Sequence, residues 1–478
     1  MNGLFASLGT PLTALFAFIV LLGIVVTVHE WGHFYVARRC GVKVLRFSIG
    51  FGKALWSRTG RDGTEYVVAL IPLGGYVKML DEREGEVPQD QLGMAFNRKP
   101  VAQRFAIVAA GPLVNLLLAI VVYWLLFVAG ETRMAPVVGH VEPASPAAEA
   151  GLQAGDEILA LDGHDIRSWD DLPLRVIAHV GDSSVLVFRV RSGAAGVERD
   201  VEVPVNEFMN GRESDNPVAA LGLRPWMPPY EVVIGEVMPE VEIDGRKVPG
   251  PGHVAGLQRG DRLLRVDGHA ITGVPAWVDI VRGAPGRTLE LEVSRDGSLL
   301  RLPLTPLART VDGRVGGFVG VGSGAAADLR FPEDWPAEYR REVRYGPLTA
   351  IGEAVANTWD RSLLTLAMMG KMVTGVLSTD SIGGPLTIAH GAGVTMSIGP
   401  AAFLDFLALV SITIGILNLL PVPVLDGGHL VFYTIEAVRG RPVPERVQAM
   451  ATQVGLFLLL ALMALAFFND YMRYLAQP

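Results

Sequence analysis

The chain has 478 residues, half of them hydrophobic, a positive mean hydropathy and a formal net charge of −8. Its length allows two to four domains, its hydropathy suits a membrane protein with sizeable soluble parts, and its mildly acidic balance argues against a nucleic-acid partner. Cys40 is the only cysteine, so no intrachain disulfide forms and any domain outside the cytoplasm is held by its core alone.

An uncharged run from Pro11 to Val28, with flanks reaching Tyr35, is long enough to cross a bilayer, and it ends on His29-Glu30-Trp31-Gly32-His33. It lacks a basic leader and an Ala-x-Ala cleavage site, which favours a retained span over a removable signal peptide. On a helix His29 and His33 share one face about a turn apart, so two imidazole nitrogens can reach one metal ion while Glu30 stands beside it. Two histidines and a glutamate at the end of a spanning helix are costly unless they face a partner or a polar cavity. The pattern therefore predicts a zinc site inside the membrane, with His29 and His33 as ligands and Glu30 as the catalytic base.

Beyond this span, Val44 to Met79 alternates apolar and polar residues, with turns at Gly50–Gly52, Thr59–Gly63 and Pro72–Gly75, and reads as β-hairpins. Tyr66, Val67, Val68, Ala69, Leu70 and Ile71 are apolar on both faces, as expected of a strand dipping toward the bilayer. An exposed edge there could accept an unwound peptide as an added strand. A second uncharged run, Phe105–Gly130, contains Gly111 and Asn115 one turn apart, a pairing that allows close helix approach and a hydrogen bond across the contact.

The following region contains a repeat. Residues 150–166 match residues 255–271 at eleven of seventeen positions, and Gly139–Pro143 corresponds to Gly235–Pro239, so the duplicated unit is a whole small domain. The Ala-Gly-Leu-x-x-Gly-Asp and Asp-Gly pattern resembles bacterial PDZ domains, which implies two PDZ-like units at 131–226 and 227–308 with grooves for a peptide or a periplasmic substrate domain. His164 and His269 take equivalent places beside a turn and read as turn residues. A bridge, 309–399, follows; within it Ser362–Ser378 is apolar around Lys371 and reads as amphipathic, lying on a membrane or protein surface.

Two more apolar runs, Phe406–Leu425 and Ala449–Phe468, complete four predicted spans, in segments 1–36, 101–130, 400–427 and 449–470, with 428–448 as a loop. Pro421 and Pro423 must interrupt the third, and an interrupted helix is tolerated in a membrane where it lines a polar site. Asp426 is then the natural third metal ligand, with His429 as its rival. Eleven Lys and Arg from Arg38 to Lys99, and Arg439, Arg441 and Arg446 after the third span, place both loops in the cytoplasm. The repeats and both termini then lie on the far side, with the metal site toward the inner leaflet.

Three features together carry a family resemblance: His29-Glu-x-x-His33 in a first span, the run Asn418-Leu-Leu-Pro421-Val-Pro423-Val-Leu425-Asp426-Gly427, and two PDZ-like units between the second and third spans. The chain resembles the bacterial site-2 intramembrane metalloproteases over essentially its whole length. The resemblance implies one zinc ion per chain in an inner-membrane endopeptidase. Its substrate would be the transmembrane segment of a single-span protein such as an anti-sigma factor, with leftover signal peptides as a further class. It also implies that the Tyr66–Leu70 strand pairs with extended substrate and that Asn418 helps to hold it. The expected fold class is a polytopic α-helical membrane protein with four spans, a membrane-associated β-hairpin region and two periplasmic PDZ-like domains.

Overall fold

The structure, a computed structural model, describes residues 2–192, 196–210, 216–243, 246–311, 314–323, 335–375 and 383–476. Among these, seven helices reach fourteen residues: α1 (Asn2–Arg39), α2 (Val101–Ala129), α3 (Pro347–Val373), α4 (Pro385–Ile398), α5 (Pro400–Leu419), α6 (Asp426–Arg439) and α7 (Glu445–Ala476). Four are long and apolar enough to cross a membrane: Leu12–Arg39 of α1, all of α2 and α5, and Glu445–Met472 of α7.

Helices α1, α2 and α5 share a core built from Val25, Ala119, Val122, Tyr123, Leu407 and Ile412, into which α3 inserts Ala350 and Ala354. Small residues on α3 let it approach closely where large ones on α2 and α5 fill the space. Helix α4 joins α1 to α5 through Ala17, Leu21, Ala392 and Val410. Asp470 fastens α7 by accepting the free backbone N–H groups of Gly384 and Leu386 at the start of α4, each at 2.9 Å.

The third apolar run departs from expectation. Helix α5 stops at Leu419, because Pro421 and Pro423 cannot continue it, and the segment expected as a loop from residue 428 belongs to α6, which begins at Asp426. Gly427 and Gly428 make that restart possible. A Cβ on Gly427 would lie 2.1 Å from the carbonyl oxygen of Leu420, and one on Gly428 would lie 2.4 Å from the Cα of Pro423.

Between α1 and α2 there is one curled hairpin, β1 (Val44–Thr59) and β2 (Glu65–Met79), where several were expected. The first half of β1 pairs twice: Phe47 lies opposite both Val77 and Tyr66, and Ser48 opposite both Tyr76 and Val67. Tyr66, Val67 and Val68 are paired again on their other side, with Arg58, Ser57 and Trp56. The stretch predicted as an exposed edge is therefore interior, and Gly75–Met79 forms the border of the sheet nearest α1. Phe34 on α1 fixes the hairpin by packing against Phe47 and Tyr66, at 5.4 and 6.1 Å between ring centroids.

The two repeats fold as separate β-rich units, each with its own core, around Leu161, Leu172, Leu186 and Phe188 in the first and Leu263, Trp277, Leu289 and Leu291 in the second. The shared motif has a structural explanation. Asp162-Gly163 and Asp267-Gly268 have positive φ at both positions and turn one strand into the next, and the two aspartates cap Val187 N–H and Glu290 N–H. Asp156 and Asp261 likewise accept Gln153 N–H and Gln258 N–H and pair with Arg199 and Arg295. His164 and His269 are exposed on the strands after those turns.

The second unit continues past the expected end at residue 308. Val321–Ser323 fills the free side of Val232–Val237, and Val319 enters the core. Leu223–Pro225 does the same for Val138–Val141 in the first unit. In both, the strand that completes the sheet arrives last in sequence.

Helix α3 joins the first unit to the membrane helices. Glu353, Asp360 and Lys371 lie on one face and pair with Arg167, Arg175 and Asp182 of that unit. Lys371 meets protein here. Its ammonium donates to the carbonyls of Ala178 and Val180, at 2.6 and 2.9 Å, and to Asp182, at 2.8 Å. Lys371→Met should cost about 1.5–3 kcal/mol locally. Amide hydrogen exchange in residues 178–182 should rise roughly ten- to a hundredfold; unchanged exchange there would show that this clamp is not formed.

Candidate metal centre

The metal motif sits where α1 crosses α2. Gly32 faces the carbonyl of Ala110, where a Cβ would lie 2.6 Å from the oxygen, and Gly111 faces the two imidazoles, where a Cβ would lie 2.3 Å from His33 Nε2. Two glycines on facing helices allow backbone-to-side-chain contact and bring the histidines, each about 8% exposed, against α2.

Asp426 enters from the start of α6. Helix α6 is anchored on α2 by Arg104, which pairs with Glu436 at 2.7 Å and lies over the Tyr433 ring at 5.0 Å. Leu430 and Tyr433 pack with Val108 and Ala109 beside this pair. Three sequence-distant pieces thus converge.

The three donor atoms form a nearly equilateral triangle. His29 Nε2 and His33 Nε2 are 3.2 Å apart, and Asp426 Oδ2 is 3.2 Å from the first and 3.3 Å from the second. Bonds of about 2.0–2.2 Å to a tetrahedral zinc imply donor-to-donor edges of about 3.3–3.5 Å. The residues therefore fit zinc, and the fourth corner is left for water or substrate. His33 Nδ1 lies 2.9 Å from the carbonyl of Ile107, which only accepts, so Nδ1 carries the proton and Nε2 keeps its lone pair for the metal. His429, on the next turn of α6, packs edge-on to Phe432 and is outside the cluster.

Glu30 stands beside the triangle under the border strand of the hairpin. A Cβ on Gly75 would lie 3.0 Å from Glu30 Cγ, and the backbone N–H of Val77 donates to the Glu30 carboxylate. Asn418 occupies the last turn of α5, half-buried, just before the break that leads to Asp426. Of the predicted site residues, the structure brings together His29, Glu30, His33 and Asp426 and separates Tyr66–Val68 from any free strand edge.

A sequence model of peptidase family M50 matches residues 17–462. The chain belongs to peptidase family M50. It is 46% identical over 457 residues to the regulator of sigma-E protease RseP of Escherichia coli, covering 96% of this chain and 98% of that one. It is 45% identical over 464 residues to protease RseP of Yersinia pestis, covering 97% and 99%. A putative zinc metalloprotease of Vibrio cholerae is 42% identical over 458 residues, covering 96% and 98%. This M50 protein is a zinc metalloprotease.

Sequence reasoning missed the parts of the M50 site that hold the ligands without being ligands: Gly32, Gly75, Gly111, the Ile107 carbonyl and the Arg104–Glu436 pair. Gly32 and Gly111 left a signal, since each lies on the face of a spanning helix that also carries a polar residue. Gly111→Ala should reduce bound zinc well below one per chain, because the new methyl and His33 Nε2 cannot occupy the same space. Full zinc occupancy in the Gly111→Ala protein would show that the crossing is wider than described.

Proposed function

We propose that this M50 protein is an intramembrane endopeptidase that hydrolyses peptide bonds within the transmembrane segments of single-span proteins. The observation that supports this most strongly is the position of the His29, His33 and Asp426 triangle, formed by two apolar, span-length helices and the helix restart that follows a third. The names of the relatives add a direction. A regulator of sigma-E suggests an anti-sigma factor as the substrate in an envelope stress response, with remnant signal peptides as a second class.

The basic residues of the 38–99 and 439–446 segments put those segments in the cytoplasm. The two β-rich units, read as PDZ domains, are then periplasmic together with both termini, in a bacterial inner membrane. The clamp between the first unit and α3 lets those domains govern what approaches the spans. Exposed Phe51, Leu55, Trp56 and Leu70 at the far end of the hairpin suit contact with lipid.

His29, His33 and Asp426 would hold the zinc. The chemistry zinc supplies when bound is a polarised carbonyl and a water whose pKa falls to about 7. Glu30, adjacent in sequence and free of the ligand triangle, takes the proton of the attacking water at its carboxylate and returns it to the leaving amine. A helical substrate must unwind first, and freed backbone groups cost several kcal/mol each if unpaired in hydrocarbon. The border strand Gly75–Met79 is placed to pair with them, since its side away from β1 faces Glu30. Asn418 is a second candidate contact.

Glu30→Gln should keep one zinc per chain and abolish cleavage of a membrane-embedded substrate, whereas His29→Ala and Asp426→Ala should lose both. Normal cleavage by the Glu30→Gln protein would refute the assigned role of Glu30. Helix-breaking residues placed in the substrate span should speed its cleavage several-fold in reconstituted vesicles. Rates indifferent to substrate helix stability would exclude binding as an extended strand.

A further inference from the structure

The two histidine ligands are oriented by different means. His33 rests on a backbone carbonyl, which no substitution removes, whereas His29 Nδ1 faces a side chain, the amide of Asn115 on α2, with Nδ2 at 3.3 Å. Asn115 is fully buried, and its Oδ1 has no hydrogen-bond partner. Its own backbone carbonyl accepts from Ser411 of α5, so the residue sits where α1, α2 and α5 meet.

The orientation of this amide decides which ring nitrogen of His29 can bind a metal. With Nδ2 toward the ring, Asn115 donates, Nδ1 must offer its lone pair, and the ring proton moves to Nε2, the atom that points at His33 and Asp426. A protonated Nε2 is not a ligand. The two ends of an amide have nearly the same shape, and a half-turn about Cβ–Cγ exchanges them. Oδ1 then accepts Nδ1–H, Nε2 is free for the metal, and the buried oxygen gains the partner it lacks.

We infer that Asn115 is a positioning residue that selects the metal-binding tautomer of His29 through its side-chain oxygen. This rests on the assignment of His29 as a ligand, but it concerns metal retention and is independent of which substrate is cut.

The test compares Asn115→Asp, which keeps an acceptor in place, with Asn115→Leu, which keeps the volume and removes it. Zinc affinity of the solubilised full chain is measured by competition with a chelator, and the absorption spectrum of the Co²⁺-loaded protein reports the ligand field. Asn115→Asp should bind zinc at least as tightly as the unaltered protein with a similar Co²⁺ spectrum, and Asn115→Leu should bind it roughly ten- to a hundredfold more weakly. A role in helix packing alone predicts the reverse order, because a buried carboxylate disrupts an apolar crossing more than leucine does. Unweakened binding by Asn115→Leu, or weaker binding by Asn115→Asp than by Asn115→Leu, overturns the inference. If Asn115→Leu fails to fold, Asn115→Asp decides alone: retained affinity supports the inference, and a tenfold loss overturns it.

Discussion

The close crossing of α1 and α2 at Gly32 and Gly111 sets the geometry of the metal centre. It leaves no room for a side chain between the helices, so the imidazoles of His29 and His33 fill the gap and take their orientation from α2. Burying polar rings in an apolar bundle is costly unless each nitrogen has a partner. Here the partners are the Ile107 carbonyl, the Asn115 amide and Asp426, and a metal completes the set. A wider crossing would leave the rings free to turn, and two well-placed histidines would no longer share one ion.

The third ligand depends on a different device. Asp426 belongs to no long span; it opens a helix that starts again after two prolines end α5. Such a break exposes backbone groups, which is tolerable beside a polar site. What gives the break a fixed shape is the fit of Gly427 and Gly428 against residues 419–423, together with the Arg104–Glu436 pair that ties α6 to α2. The same helix thus touches two walls of the site, and α2 serves as the common reference for all three ligands.

The hairpin and the β-rich units extend this frame outward. The hairpin folds back until β1 pairs on both sides, which buries Tyr66–Val68 as an interior strand and turns Gly75–Met79 toward Glu30. On the opposite side of the bundle α3 serves two surfaces. Its small residues enter the helical core, while Glu353, Asp360 and Lys371 hold the first β-rich unit. Orientation of that unit is thereby linked to the packing of α2 and α5.

The chain by itself determined the chemistry and much of the architecture. Histidines four apart on a helix must share a face, two prolines in an apolar run must break it, and a repeated Ala-Gly-Leu-x-x-Gly-Asp must build the same fold twice, because these follow from local geometry. Hence His29, Glu30, His33, Asp426, the apolar helices and the duplicated unit were legible. Strand neighbours were not: alternation marks Tyr66–Ile71 as a strand, but whether it has one partner or two depends on how far the hairpin curls. The end of the second unit was hidden because the strand that completes its sheet lies beyond the repeated motif. Only the tertiary structure decided which glycines admit a crossing helix, that Arg104 and Glu436 meet across 332 residues of sequence, and that Asn115 lies against His29. Those are contacts between distant segments, fixed by how the helices pack and left unspecified by any local pattern.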